Sequence, residues 1–288
     1  MKPAAFEYAV PATIAEAVAL LAQHEGAAKP ISGGQSLMPV LNFRLAAPSL
    51  LVDLRKLPGL DQIVVAADGT RLGARVRWRD IEKSTALAAA AGQPLLCAGI
   101  EHVAHYQIRN RGTVGGSLAH GDPAAEMPGL AVALDARLRI VGAGGERIVA
   151  AGEFYTGPLS TVLTHDELIV EVLLPPWPAA RRWGFEEFAR RRGDFALAGA
   201  AVWFDLDGAG RASNAHIGVI GLSDRPRRLE SVEAMLNGKA VDAALIAAAS
   251  AAASAAVDPL NDIHASADYR RALAATMVGR ALTSAAGL

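Results

Sequence analysis

The chain has 288 residues, with 28 Lys plus Arg against 29 Asp plus Glu and a single cysteine. That length buries a sizeable core and fits two domains better than one, while the balanced charge, without a basic patch interleaved with aromatics, argues against nucleic acid. No run of about 18 apolar residues reads as a membrane span, the start does not read as a secretory signal, which gives a cytoplasmic expectation, and one Cys with no H-E-x-x-H-type spacing leaves no disulfide framework, metal site or iron–sulfur cluster in this chain.

The stretch from Tyr8 to Gly26 holds a helix. Thr13 and Glu16 form a capping box, Ile14, Ala17, Val18 and Leu21 make one apolar face, and Gly26 stops it. A short strand over 28–32 runs straight into Ser-Gly-Gly-Gln-Ser. Residues 50–54 read as a buried strand, 55–60 as a turn, and 62–66 with 71–76 as a hairpin over Asp68-Gly69. A helix is expected from Trp78 to about Ala91, ending at Gly92. Residues 100–106 then lead into the second glycine pair, Gly115-Gly116, within Gln107–Pro128. Asp122 and Pro123 suggest a helix start, the acid as cap and the proline at the first position, running to about Ala133. A second hairpin is expected over 138–150 and an apolar strand over 168–174.

Three prolines among residues 175–178 interrupt any sheet or helix, which places a domain boundary there. Beyond it, strands are expected at 183–188, 196–204 and 212–220, then helices at 230–236, 243–256 and 268–281: a small sheet with helices on one face.

The two Gly-Gly-plus-hydroxyl segments suggest two loops closing on one extended, phosphate-bearing ligand, because paired glycines leave backbone N–H groups exposed. Neither is a P-loop or a Rossmann fingerprint, since G-K-[ST] and G-x-G-x-x-G are both missing. G-x-S-x-G is absent too, and neither Ser36 nor Ser117 has a His and an acid in recognisable order. The carboxylate pairs Asp166-Glu167 and Glu186-Glu187 read as solvent-facing, and Cys97, in PLLCAGI, as a small buried hydrophobe. Binding loops without an acid–base or nucleophilic centre fit a protein whose cofactor performs the chemistry. No catalytic side chain and no metal ligand is assigned.

Several segments, in this order and spacing, carry a family resemblance: SGGQSLMPVLNFRLA at 32–46, VDLRKLPGL at 52–60, IRNRGTVGGSLAHGDPAAEMP at 108–128, DELIVEVLLP at 166–175 and RRRGDFALAGAAV at 190–202. The chain resembles, nearly end to end, the FAD-binding medium subunit of the molybdenum hydroxylases, the family of carbon monoxide dehydrogenase and xanthine dehydrogenase. The resemblance implies an α+β fold. A two-lobed FAD-binding domain of the vanillyl-alcohol-oxidase (PCMH) type would span residues 1–176, with lobes of about 1–55 and 56–176. A small C-terminal α+β domain would span 177–288. It further implies that the first loop (Ile31, Ser32, Gly33, Gly34, Gln35, Ser36, Leu37) gives N–H groups to the FAD pyrophosphate. The second (Thr113, Val114, Gly115, Gly116, Ser117) would complete the cradle toward the ribityl chain. Glu126 of DPAAE aligns with a family carboxylate that contacts the cofactor, and Asp122 is left either as a helix cap or as that contact. Ile169 matches a position near the adenine half. Gly193, Asp194 and Phe195 match the loop beside the isoalloxazine ring, where Phe195 either shields the flavin or simply starts a strand. Relatives often carry Lys near Glu186–Glu187, and Arg190–Arg192 are possible substitutes. Arg109 and Arg111 could serve the pyrophosphate, anchor the loop or face a partner.

The resemblance implies an oxidoreductase subunit that receives electrons from [2Fe–2S] clusters on a small partner subunit and passes them to a terminal acceptor. Molybdenum–pterin would sit on a large partner subunit, in a dimer of heterotrimers. A self-contained flavin oxidase or dehydrogenase of the same fold is the first alternative, and a non-catalytic flavin-binding assembly factor the second. Substrate and terminal acceptor are left open.

Overall fold

A computed structural model describes residues 2–288. The first lobe is a three-stranded parallel sheet of order β1-β3-β2, built from β1 (Glu7–Ala9), β2 (Ala28–Ile31) and β3 (Leu50–Asp53). Helix α1 (Ile14–Gln23) joins β1 to β2, and Thr13 and Glu16 form the capping box expected of them. Its buried face of Ala17, Val18 and Leu21 packs on Leu50 and Val52. Helix α2 (Leu37–Asn42) follows the first glycine loop directly.

The second lobe is a five-stranded antiparallel sheet of order β4-β5-β10-β6-β7. Its first hairpin is β4 (Ile63–Ala66) and β5 (Gly69–Gly73). Gly69, at φ +133, occupies a backbone conformation that side-chain-bearing residues avoid. A run of short helices follows: α3 (Trp78–Glu82), α4 (Thr85–Ala88), α5 (Pro94–Ile100), α6 (Tyr106–Arg109), α7 (Val114–His120) and α8 (Glu126–Ala133). Then come β6 (Arg137–Gly142), β7 (Gly145–Ala150), α9 (Ala151–Phe154), β8 (Tyr155–Gly157), β9 (Ser160–Thr161) and β10 (Leu168–Leu174).

The C-terminal unit is a four-stranded antiparallel sheet in sequential order: β11 (Arg182–Phe188), β12 (Ala198–Leu206), β13 (Ala212–Ile220) and β14 (Arg227–Arg228). Helices α10 (Glu230–Leu236), α11 (Ala243–Ala256) and α12 (Ala267–Ala286) follow. Asp242 and Ser266 cap the last two by accepting from Leu245 and Tyr269 N–H.

Two expectations need correction. The helix expected over 78–91 is two short helices, because Ser84 leaves the helical path and caps a new one at Leu87. Helix α8 begins at Glu126 rather than Pro123, after a turn closed by Ala125 N–H on the Asp122 carbonyl. The C-terminal sheet carries its own three helices on one face, as expected, and the preceding unit covers the other. α12 packs on β11 and β12 from one side, while α8 of the preceding unit packs on β12 and β13 from the other. Trp203 Nε1 donates to the Ala133 carbonyl at 2.7 Å, and the His216 ring stacks on Trp203 at 3.9 Å. The hydrophobic core therefore runs across the proline segment: Ala201 and Trp203 belong to the same buried cluster as α5 and α8. No helix among the described residues is long and apolar enough to cross a membrane.

Candidate cofactor site

A cavity of about 850 Å³ runs from Lys29, Thr164 and His165 at the first lobe to Glu126 and the Gly193–Phe195 loop. Its mixed lining and elongated course suit one extended ligand.

Strand β2 delivers the chain into the loop at Ser32, and Gly34 adopts φ +71. The N–H groups from Ser32 to Leu37 find no acceptor among the described residues. All six residues are half-buried and line the cavity. Native proteins leave few buried N–H groups unpaired, so a run of unpaired ones along a cavity wall is suited to an anion. A Cβ on Gly33 would stand 2.1 Å from the Arg111 carbonyl oxygen, so only glycine lets the two loops meet. Thr113 Oγ1 donates to Ser32 Oγ at 3.1 Å and ties them together.

The second glycine pair differs from the expected open turn. It forms the first turn of α7, and its N–H groups are committed to the protein. Val114 donates to Val76 O, Gly115 to Ala74 O, Gly116 to Thr113 Oγ1 and Ser117 to Thr113 O. Val114 is fully buried in the core and does not reach the cavity. Thr113, Gly115, Gly116 and Ser117 do line it. The glycines there serve close approach: a Cβ on Gly115 would meet Ala74 at 2.6 Å, and one on Gly116 would have only Thr113 Oγ1 within 4 Å.

Ile169 borders the cavity from β10, where a β-bulge shifts the register between Ile169 and Glu171. Gly193, at φ +89, lies where a Cβ would strike the Ala104 carbonyl and the His105 ring. That contact brings Asp194 and Phe195 to the cavity, with Phe195 64% exposed at its edge. The loop's end is pinned to the DPAAE segment by Ala196 N–H on Ala124 O, and Gly221, just after β13, donates its N–H to Pro123 O in the same segment.

Glu126 opens α8 and is 5% exposed, with its residue on the cavity wall. Burial, reinforced by the charges of Glu187 and Asp122, pushes its carboxyl up to about 8, although its own backbone N–H favours the anion. Asp122 also lines the cavity and accepts from Ala124 N–H at 2.9 Å. This is a local turn bond, not the cap of α8.

The solvent-facing reading of the paired acids is overturned for their second members. The Glu187 side chain is 2% exposed. Glu167 is 11% exposed, bound bidentately by Arg147, and on the cavity wall. Arg109 anchors its loop, pairing with Glu82 at 2.7 Å and donating to the carbonyls of Val103 and Ala104. Cys97 is half-buried, and burial pushes its thiol up to about 11.

Lys29, His120 and His165 also line the cavity and were not anticipated. Lys29 lies one residue before Pro-Ile-Ser-Gly-Gly and His165 one before Asp-Glu-Leu-Ile-Val, so adjacency to the two motifs was the available signal.

The family model described as "FAD binding domain in molybdopterin dehydrogenase" matches residues 4–177. A second, "CO dehydrogenase flavoprotein C-terminal domain", matches 183–285. The chain is 41% identical to the 6-hydroxypseudooxynicotine dehydrogenase complex subunit alpha of Paenarthrobacter nicotinovorans, covering 99% of this chain and 96% of that one. Among solved structures it is similar to a chain of carbon monoxide dehydrogenase from Hydrogenophaga pseudoflava, with TM-score 0.95, 38% identity, and 99% and 98% coverage. A chain of quinoline 2-oxidoreductase from Pseudomonas putida 86 matches with TM-score 0.93 and 39% identity, covering 100% of this chain and 99% of that one.

Proposed function

Because this chain belongs to the FAD-binding medium subunits of the molybdenum hydroxylases, we propose that its cavity holds FAD between the two glycine segments and that the subunit relays electrons. It would take them from [2Fe–2S] clusters on a small partner and pass them to a terminal acceptor. Substrate oxidation would occur at molybdenum–pterin on a large partner. The observation that carries the site is that residues Ser32 to Leu37 all line the cavity while their N–H groups have no acceptor among the described residues. Beside it only Lys29 supplies a permanent positive charge among the cavity-lining residues, so backbone dipoles meet the diphosphate.

When bound, the flavin would supply the capacity to accept electrons one at a time and to pass them on singly or in pairs. This chain's residues do the rest. Ser32–Leu37 hold the diphosphate, and Thr113 fixes the second segment against the first. Ile169 flanks the adenine half. Glu126, protonated at neutral pH, offers an O–H to the ring end, and Phe195 limits solvent at the mouth. Chemically unlike names among close relatives, such as carbon monoxide and quinoline, go with nearly one fold for this subunit, which supports placing substrate choice on another chain.

Purified with FAD available, the chain should be yellow and release about one unmodified FAD on denaturation, and in the complex that flavin should be reduced when substrate is added. A colourless chain would remove the cofactor assignment. Turnover of an organic substrate by the isolated subunit at the rate of the complex would remove the relay role.

A further inference from the structure

The outer side of the cavity wall carries a basic rim that cofactor binding does not use. The α6 segment is a thin partition: Val103, Ala104 and Ile108 line the cavity, while Tyr106 is 55% exposed on the outside. Arg109 holds the partition in place through the carbonyls of Val103 and Ala104. Outside it, the Arg79 guanidinium lies 4.9 Å from the centroid of the Tyr106 ring and donates to Asn110 Oδ1 at 2.9 Å. Exposed Lys83 stands one helical turn further on, its N–H donating to the Arg79 carbonyl, so the two side chains leave the same side of α3. The loop at Gly193 abuts this segment at Ala104 and His105, and it arrives there through Arg190, Arg191 and Arg192, all exposed. Phe195, exposed at the cavity mouth, follows in the same loop.

Five cations thus gather at one rim, in a chain whose formal net charge is -1. None of the five forms a salt bridge among the described residues. The nearby acids do not balance them. Glu82 is paired with Arg109, and Asp80 accepts from the backbone N–H of Arg77, itself a further cation, which leaves Asp194 and Glu101. The rim joins segments far apart in the chain, so the sequence alone displays no basic patch.

We propose that this rim is the docking surface for an acidic electron-carrier protein that takes electrons from the group held in the cavity. The carrier's role rests on the reading that this group is FAD. A carrier seated outside Tyr106 is separated from the cavity by one helix, about 10 Å across. The core of a permanent subunit interface is depleted of charge, whereas electron-transfer encounters are small and steered by charge. Unpaired cations around two exposed aromatics have the character of the second, and burying them for good would strip each of its water. Reoxidation then delivers one electron to each of two carriers in turn and one proton to solvent.

The probes are cytochrome c, a basic haem protein, and the same protein made acidic by succinylation of its lysines. Binding to the full chain is measured first without FAD. At low salt the succinylated form should bind at least about tenfold more tightly than the native form, and added salt should erase the preference. Lys83→Glu with Arg191→Glu should abolish it. Arg137→Glu with Arg182→Glu changes the net charge equally, at the start of β6 and at the end of β11 remote from the rim, and should leave it in place. Equal affinity for the two forms, equal loss in both variants, or a DNA oligonucleotide bound more tightly than the succinylated protein overturns the docking surface. The FAD-loaded chain, photoreduced, should then reduce the succinylated form faster than the native one, and equal rates overturn the carrier's role. The assembled complex must keep the same order; its loss there would assign the rim to a permanent subunit and overturn the proposal. If the binding preference holds but the chain takes up no FAD, the cofactor reading and the carrier's role fall, and the docking surface stands.

Discussion

Replacing Gly33 by Ala should separate FAD binding from folding. The added Cβ would lie 2.1 Å from the Arg111 carbonyl oxygen, 2.8 Å from its carbon and 3.0 Å from Gly112 Cα. Those atoms cannot retreat easily, since Arg111 and Gly112 both donate to Ile108 O and Gly112 O accepts from Trp78. The Ser32–Leu37 loop must move instead, by about 1 Å to reach even the shortest tolerable contact. The 3.1 Å Thr113–Ser32 bond is then lost, at roughly 1 kcal/mol. The loop's N–H groups also leave the diphosphate. A hydrogen bond to a charged group contributes about 1.5–3 kcal/mol, so losing two weakens FAD by about 10²- to 10⁴-fold at about 1.4 kcal/mol per decade. The lobe's core is untouched, so global stability should fall by only about 1–2 kcal/mol. Gly34→Ala is the control. Its φ of +71 makes alanine strained, by about 1–2 kcal/mol. Yet the nearest atoms are side-chain tips of Ile31 and Met38 at 3.4 Å, so the loop stays in place and affinity should change less than about tenfold. Titration of FAD into stripped protein, with thermal unfolding alongside, separates the two. Near-parental affinity in Gly33→Ala, or an equal loss in Gly34→Ala, would refute the reasoning.

Burial, then the nearby Arg228, pushes the His216 ring down to about 3. Below the unfolded value of about 6.5 the unfolded chain binds the extra proton, so stability is present above that pH and is lost as pH falls from 6.5 toward 3, by about 1.4 kcal/mol per unit. Urea midpoints from pH 7 to 4.5 should show this slope flattened in His216→Gln, and parallel curves would count against it. The half-buried Cys97 thiol, pushed up to about 11 by burial, should react with iodoacetamide at pH 8 much more slowly in the native than in the unfolded chain, and equal rates would contradict that. Phe195→Ala should leave stability within about 0.5 kcal/mol, as expected for an exposed side chain, while making bound-flavin fluorescence more accessible to iodide. Unchanged quenching would remove Phe195 from the mouth.

What could be read from the sequence followed local chemistry. The capping box at Thr13 and Glu16 marks α1, and the interrupted apolar periodicity marks the last three helices, although α12 runs on to Ala286. Strands β4, β5 and β10 were visible through turn glycines and apolar runs. Helices α5 and α8 were missed or misplaced because they lack a polar face to set a period: every residue of α8 is buried. The break at Ser84 comes from its side chain accepting from Leu87 N–H, a local bond that the apolar pattern does not show. Acidic pairs posed the same difficulty. Glu186-Glu187 looks like a solvated run, but successive residues on a strand face opposite sides, so one of the two turns inward.

The two glycine pairs look alike in sequence and do different work. One criterion separates them: where each N–H goes. From Val114 to Ser117 every N–H is already accepted inside the protein, so added bulk at Gly115 would be felt through Ala74 and the core. From Ser32 to Leu37 none is accepted, and Gly33 has no side chain because the Arg111 carbonyl occupies its place. The second segment is thus the fixed wall and the first the donor array laid against it. The Thr113–Ser32 bond sets the spacing between them, so Thr113→Val, which keeps the shape and removes the hydroxyl, should loosen both the α7 cap and the cradle. Loss of FAD affinity there without loss at Ser117→Ala is the pattern this division of labour requires.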